Sequence, residues 1–309
     1  MRTQIRIGKW VVETSQTTVT MSQRESSALS EIAGRWIGAF PREPETLAWA
    51  KLGAPSALIR FDYVLGPDGL PRVFEVEDRP AGLGLNSVVC PGFAERLRRR
   101  MDGIREAVGR PVEIFVTEPR RETCDDSLLP EAAPGAFDAV RVGGTPGPDA
   151  ALLVRCALGE EGLAHLESRS ISTVSREGDK SYGVALGLWR EVSGEESLDY
   201  DVPFVLKPAQ GCGSRGVTLY HPDRRGAGFD KRQRVARAVL AGQARYVQPF
   251  YEPEASPDGD GLKMIRRVLY AWDPSARRYE PLGGSWNARP NVKIHGASDT
   301  VTGPVLPPA

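Results

Sequence analysis

Residues 203–217, PFVLKPAQGCGSRGV, set a short apolar strand over 204–206 directly before Lys207. A turn built on Gly211, Gly213 and Gly216 follows, and then a second strand over 217–220. Without a Cβ the chain bends sharply at such glycines, and its N–H groups approach a ligand closely. A lysine carried to that loop by a strand suits a nucleoside triphosphate, because its ammonium pairs with phosphate oxygens that backbone amides also contact. The order is not that of a Walker A loop, where the lysine follows the glycines and opens a helix.

With 309 residues the chain has room for about two domains of ~150 residues. Its 40 Lys+Arg balance 40 Asp+Glu, so no net field draws nucleic acid or an anionic membrane surface. Any ligand must be recognised by local groups. Cys90, Cys124, Cys156 and Cys212 show no CxxC spacing, which argues against a zinc site or a disulfide framework. The first residues lack the apolar core of a signal peptide, and no apolar run approaches the ~18 residues of a membrane span. The expectation is a cytoplasmic protein.

Residues 4–13 read as a strand and 22–40 as a helix stopped by Pro41, with Leu29, Ile32, Ala33 and Trp36 on one face. Runs at 57–65 and 71–76 flank GPDG, a hairpin signal. Residues 82–86 read as a loop, and 93–108 as a basic amphipathic helix whose Arg96, Arg98, Arg99 and Arg100 face solvent. Strands are expected over 112–117, 136–142 and 150–154, with a loop over 118–135. A short helix is expected over 163–167 and a longer one over 180–192. Residues 232–241 read as a helix, 246–251 as a strand, and 264–272 with 279–284 as a second hairpin. The proline-rich tail TGPVLPPA is expected at the periphery. This alternation of strands and helices favours an α+β class with α/β elements.

Four constellations carry chemistry. Arg60 and Asp62 share a face of the first hairpin's leading strand, and Glu75 and Glu77 share a face of its return strand. An all-oxygen set suits Mg²⁺, which takes one or two carboxylates plus substrate phosphates; the plain alternative is a polar outer face with Arg60 paired to an acid. Lys180 opens the 180–192 segment, where an anion is favoured at a helix start, or it is simply solvated. The run YVQPFYEPE over 246–254 can offer backbone groups to an adenine edge, with Phe250 over the base and Glu252 or Glu254 at the ribose, or it is an ordinary strand end. Finally Arg289, Asn291, Lys293 and His295 alternate at strand spacing, as an anion-binding face or a solvated edge. No base stands near Cys212, so it is not read as a nucleophile.

In this order the pieces resemble the ATP-grasp enzymes, and within them the circularly permuted branch that includes glutathionylspermidine synthetase-like ligases. In that branch the acidic hairpin precedes the lysines and the hinge. The resemblance covers about 55–85 and 175–296. It implies ATP held between two antiparallel-sheet subdomains. It makes Asp62 and Glu75 Mg²⁺ ligands, with the carboxylate of Glu77 at the position of a third, and puts Arg60 near the transferring phosphoryl group and the substrate carboxylate. Lys180 and Lys207 fall on the phosphates, with Gly211, Gly213, Ser214 and Gly216 in a loop closing over them. Gln248 to Phe250 become the hinge against adenine, next to Glu252, which the residue pattern already offers to the ribose. Glu77 departs from the family, which has Asn there. The domain division implied is 1–110 with the acidic hairpin, a central 111–175 segment, a nucleotide-binding 176–296 segment and a 297–309 tail.

The activity implied is ATP-dependent amide formation through an acylphosphate, releasing ADP and phosphate. Chemistry of this kind needs positioning and charge neutralisation more than a nucleophilic side chain. The alternatives are a phosphotransferase on the same scaffold and a non-catalytic nucleotide-binding protein. Substrates would be a small carboxylate and an amine, with an amino acid or peptide favoured. Arg266, Arg267 and Arg289 are candidates for a second carboxylate, Arg289 with a catalytic part, and Arg79 for an acceptor or donor. A homodimer is the associational expectation.

Overall fold

The structure is a computed structural model that describes residues 1–8, 10–39, 48–117, 121–155, 164–172, 180–209, 216–226, 228–292 and 300–309. Expectations for Pro41, Cys156, Gly211, Cys212, Gly213, Ser214, Lys293 and His295 lie outside them. Among the described residues the strands form three sheets in a mixed α+β fold. No helix there is long and apolar enough to cross a membrane.

The largest sheet has nine strands and is built around two hairpins. Leu58–Leu65 pairs antiparallel with Pro71–Glu77, and Lys263–Asp273 with Arg278–Arg289; Lys263–Asp273 also pairs with Leu58–Leu65, joining the two. Pro71–Glu77 forms one edge of this sheet, and Arg2–Ile7 lies at the opposite end of the strand order. Along these strands alternate side chains face opposite ways. Phe61, Tyr63, Val268, Tyr270, Trp286 and Ala288 meet the helices in the main core. Arg60, Asp62, Arg267, Ser285 and Asn287 lie on the other face, as the pairs Arg267↔Asp62, Arg267↔Ser285 and Ile265↔Asn287 require.

Two helices cover the apolar face. Gln23–Ala39 starts with a capping box: the Ser22 hydroxyl accepts from the Glu25 amide at 3.1 Å, and the Ser22 amide donates to the Glu25 carboxylate at 3.2 Å. Its Leu29, Ile32, Ala33 and Trp36 are buried at the spacing the sequence shows. Phe93–Val108 buries Phe93, Leu97, Met101, Ile104 and Val108. Its arginines divide, which corrects the expectation of a solvated face. Arg98 and Arg99 pair with Glu95 in solvent, whereas Arg96 Nε donates to the Leu282 carbonyl at 2.7 Å and Arg100 pairs with Asp273 and Glu280. The helix is thus pinned to the second hairpin.

The C-terminal tail is not peripheral. Val301–Leu306 runs inside the large sheet, antiparallel to Arg278–Arg289 and parallel to Trp10–Ser15 and Val19–Thr20. Pro304 lacks an N–H, but its position lies between the two parallel pairings, at Val301–Thr302 and Val305–Leu306, where no ladder bond is called for. Gly303 lies opposite Trp286, and a Cβ there would meet the indole ring at 2.3 Å.

Other expectations are corrected in detail. Residues 4–13 are not one strand but parts of a hairpin, Arg2–Ile7 and Trp10–Ser15. Residues 82–86 fall mostly in the helix Leu83–Val89, and the expected 118–135 loop holds the 3₁₀ helix Arg121–Leu128 and the turn Leu129–Ala132. The expected 180–192 helix is only Tyr182–Ala185, because Gly187 takes a positive φ of 71° and the chain turns into the strand Arg190–Glu191.

The second sheet has four antiparallel strands in the order Thr218–Tyr220, Phe204–Lys207, Tyr246–Pro249, Arg190–Glu191. It is backed by the helix Arg232–Leu240 through a small core of Leu198, Phe204, Leu206, Tyr220, Val235 and Val247. The third sheet is parallel, with Val112–Val116 between Ala139–Val142 and Ala151–Arg155.

Candidate active site

The four-stranded sheet meets the Pro71–Glu77 edge of the nine-stranded sheet, and the two enclose a cleft of ≈ 910 Å³ counted with its open mouth. The edge strand Pro71–Glu77 is engaged by side chains from the other side. Gln248 Nε2 donates to the Val73 carbonyl at 3.0 Å, Lys207 Nζ to the Phe74 carbonyl, and the Tyr182 hydroxyl to the Val76 carbonyl at 2.6 Å. Outward carbonyls that would otherwise go unpaired are thereby satisfied.

Charged groups gather at one end of the cleft. Lys180 Nζ lies 3.0 Å from Glu75 Oε1. Lys207 ends the strand Phe204–Lys207 and stands 4.0 Å over the Trp189 ring, whose Nε1 donates to the Lys180 carbonyl at 2.8 Å. Both lysines are buried. Burial lowers the Lys207 ammonium to about 7; Glu75 opposes that shift and Lys180 reinforces it. For Glu75 burial works to raise the carboxyl, but Lys180, Lys207 and Arg60 outweigh it and hold it at about 2. Burial pushes Glu77 up against the pull of Arg60, and the charges of Glu75 and Asp62 add to the rise.

Arg60 is committed inside the protein. It grips Asp62 through Nε–Oδ1 at 2.7 Å and Nη2–Oδ2 at 3.2 Å, reaches Glu77 Oε1 at 2.8 Å, and donates to the Ala81 carbonyl at 3.1 Å. Burial disfavours its charge, but Asp62 and Glu77 more than compensate and raise its pKa above the ordinary guanidinium value. Arg267 Nε closes on Asp62 Oδ2 at 3.1 Å from the next strand. Both Asp62 oxygens therefore face guanidinium groups, a poor fit to a metal ligand. Among the described residues no three acidic, cysteine or histidine side chains form a metal-binding group. Glu75 and Glu77, with side chains 29% and 35% exposed, each keep one oxygen outside these ion pairs. Two such carboxylates fit a Mg²⁺ ion that takes its remaining ligands from phosphates and water.

The rest of the cleft is apolar, lined by Val64, Phe74, Val205, Val217, Leu219, Phe250, Tyr251 and Ile265 among others. Asp62, Glu75, Lys180, Lys207, Gln248 and Phe250 thus line one space, as the sequence order suggested. Gly216 closes the described part of the glycine turn with φ 71°. The Phe250 amide is already bonded to the Pro203 carbonyl at 3.2 Å, so it is not a free hinge group.

Glu252 is not brought to the cleft. It lies at the surface, paired with Arg224 at 2.8 Å and Lys263 at 3.5 Å. Glu254 is likewise held, by Arg266 and the Leu65 amide. Arg266 faces the helices and pairs with Glu25 at 3.1 Å, so it has no part in the cleft. Arg289 ends its strand on the cleft face opposite Lys263, outside the lining residues, and the strand stops before Asn291. Arg79 is buried against Asp78 at 3.8 Å rather than open to an acceptor.

Sequence reasoning passed over Tyr182 and Trp189 as site residues and grouped Arg267 with Arg266. One signal was available: neighbouring residues in a strand point to opposite faces, so only one of the two arginines can share the face of Asp62.

No protein-family model matches the chain, and no curated protein matches it in sequence. Among solved structures it is similar to a protein from Methylobacillus flagellatus KT provisionally named a gamma-glutamylcysteine synthetase, at TM-score 0.48 and 11% identity over 90% of this chain and 85% of that one. It is also similar to a glutathione synthetase-like effector (GSS30) from Globodera pallida in its apo form, at TM-score 0.42 and 9% identity over 94% of this chain and 88% of that one.

Proposed function

We propose that this chain is an ATP- and Mg²⁺-dependent carboxylate–amine ligase of the circularly permuted ATP-grasp type, acting on an amino acid or short peptide. The observation that carries the reading is the meeting of Lys180, Lys207 and Glu75 at one end of a largely apolar cleft between two sheets, with Glu77 two residues further along the same edge strand. An apolar slot with a cationic and acidic end suits a flat base joined to a metal-bound triphosphate.

In this reading Lys180 and Lys207 hold the phosphates, and the apolar side chains of the four-stranded sheet and Phe250 take the base. Glu75 and Glu77 hold the magnesium ion, which supplies charge neutralisation at the phosphates when bound. Arg60 does not touch the reacting atoms; its ion pairs with Asp62 and Glu77 fix the two carboxylates in place. The substrate carboxylate oxygen attacks the γ-phosphorus, the bond to the β,γ-bridging oxygen breaks, and ADP leaves. The amine nitrogen then attacks the acyl carbon, phosphate leaves, and the amine proton passes to solvent.

The test is ADP release from a screen of carboxylates against amines. Lys207→Ala and Glu75→Ala should each abolish it while the protein stays folded, and ¹⁸O in the substrate carboxylate should appear in the released phosphate. Near-normal turnover by either variant refutes the site. A stable phosphorylated product without amide would assign a kinase instead.

A further inference from the structure

The charged end of the cleft does not stop at Arg267. Its direct cross-strand neighbour is Ser285, and the next pair on the same face is Ile265↔Asn287, followed across the sheet by Asn287↔Thr302. Cross-strand partners on one face lie within side-chain contact of each other. Arg267 and Ile265 both line the cleft, so Ser285, Asn287 and Thr302 form a polar row leading sideways from it.

The row is built, buried and unused. Ser285, Asn287 and Thr302 are only 6%, 7% and 2% exposed. Among the described residues none of the three side chains makes a hydrogen bond, and the buried Asn287 Oδ1 is an acceptor with no donor. Buried polar groups are almost always satisfied, so an orphan acceptor beside a cleft points to a ligand. Arg267 adds a charge: beyond its Nε contact with Asp62 it makes no hydrogen bond, which leaves both Nη groups open. A guanidinium fork with open Nη groups matches a carboxylate.

We propose that this row is the subsite of the acylated substrate and that it takes a small carboxylic acid bearing further hydrogen-bonding groups, such as an α-amino acid or dipeptide. Arg267 holds the carboxylate toward the phosphate end of the cleft, and Asn287 Oδ1 accepts from an N–H of the same molecule, with Ser285 and Thr302 offering hydroxyls on either side. The row discriminates by chemistry, since an apolar acid of equal length leaves Asn287 as unsatisfied as before. This assignment rests on the cleft being the nucleotide site.

The experiment is calorimetric titration of the protein saturated with AMP-PNP·Mg²⁺, using the twenty L-amino acids and diglycine, with butyrate and valerate as apolar controls. At least one amino acid or diglycine should bind and the apolar acids should not. Asn287→Leu should weaken that binding at least about tenfold, the loss of one buried hydrogen bond, with AMP-PNP affinity unchanged. Its melting temperature without ligand should be equal or higher, because the orphan acceptor is gone. Ser285→Ala, a smaller change, should weaken the same ligand a few-fold and serves as the second arm if Asn287→Leu does not fold. The proposal is overturned if no polar acid binds, if valerate binds as well as the amino acids, or if the variants bind like the parent protein. Failure of AMP-PNP to bind refutes the nucleotide reading alone, and titrating the same acids without nucleotide still decides the row.

Discussion

Arg60 and Asp62 stand two positions apart on one strand and lock into a two-pronged ion pair, Nε to Oδ1 at 2.7 Å and Nη2 to Oδ2 at 3.2 Å, with side chains 4% and 1% exposed. Removing one partner of such a pair leaves a buried charge uncompensated. Arg60→Met should therefore destabilise the fold by about 3–5 kcal/mol, with Arg267 softening the loss. Urea denaturation reads this directly, and an unchanged midpoint would show that Asp62 does not depend on Arg60.

Lys207 makes nucleotide binding pH-dependent. With its folded value near 7, the lysine is largely neutral above that pH, and a phosphate favours the ammonium. Binding of AMP-PNP should then take up a proton at pH 8, and affinity should fall as pH rises from 7 toward 9, by at most about tenfold per unit. Calorimetry in buffers of different ionisation heat measures the uptake. A pH-independent affinity in the parent protein, matching that of Lys207→Met, would remove the lysine from the phosphate site.

Glu75 acts in the acid range. Its folded value near 2 lies below that of an unfolded glutamate, about 4.3. Its contribution to stability is thus complete above that unfolded value and is lost as pH falls through about 2. Glu75→Gln should flatten the acid limb of a thermal melting profile measured between those limits. An unaltered limb would mean that the lysines do not stabilise its charge.

Gly183 underlies the Trp189 ring on which Lys207 rests. A Cβ at this position would lie 1.8 Å from the indole. Gly183→Ala should cost about 1–3 kcal/mol as overpacking and weaken AMP-PNP binding by moving the ring. Loss of stability with nucleotide affinity intact would separate Trp189 from the function of Lys207.

The tail gives the sharpest structural test. Val301 and Val305 are fully buried in the large sheet, and burying each contributes about 1.5–3 kcal/mol. Deleting 301–309 also leaves the cross-strand partners in Arg278–Arg289 unpaired. Circular dichroism of the truncated chain should show loss of the cooperative transition; a native-like melt would return the tail to the periphery.

What the sequence reveals depends on how local the signal is. The capping box at Ser22–Glu25, the GPDG hairpin and the alternation of Arg60 with Asp62 and Glu75 with Glu77 are short-range patterns, and their elements form where the pattern places them. The tail strand was hidden because Pro304 reads as a strand breaker, and only its place between two separate parallel pairings makes it harmless. Tyr182 and Trp189 carry no marker of a site; they matter because the chain turns at Gly187 after the short helix Tyr182–Ala185, with Tyr182 bonded to the edge strand and Trp189 under Lys207. Glu252 misled because an acid after a strand end resembles a ribose contact, whereas Arg224 and Lys263, remote in sequence, hold it in solvent.

The edge strand Pro71–Glu77 has a consequence for how the cleft can move. An uncovered strand edge is a template for pairing with another chain, and here its carbonyls are capped by Gln248, Lys207 and Tyr182 from the opposing side. A motion that parted the two sheets would break these three contacts and uncap that edge. Opening of the cleft and exposure of a pairing-competent strand would then rise together.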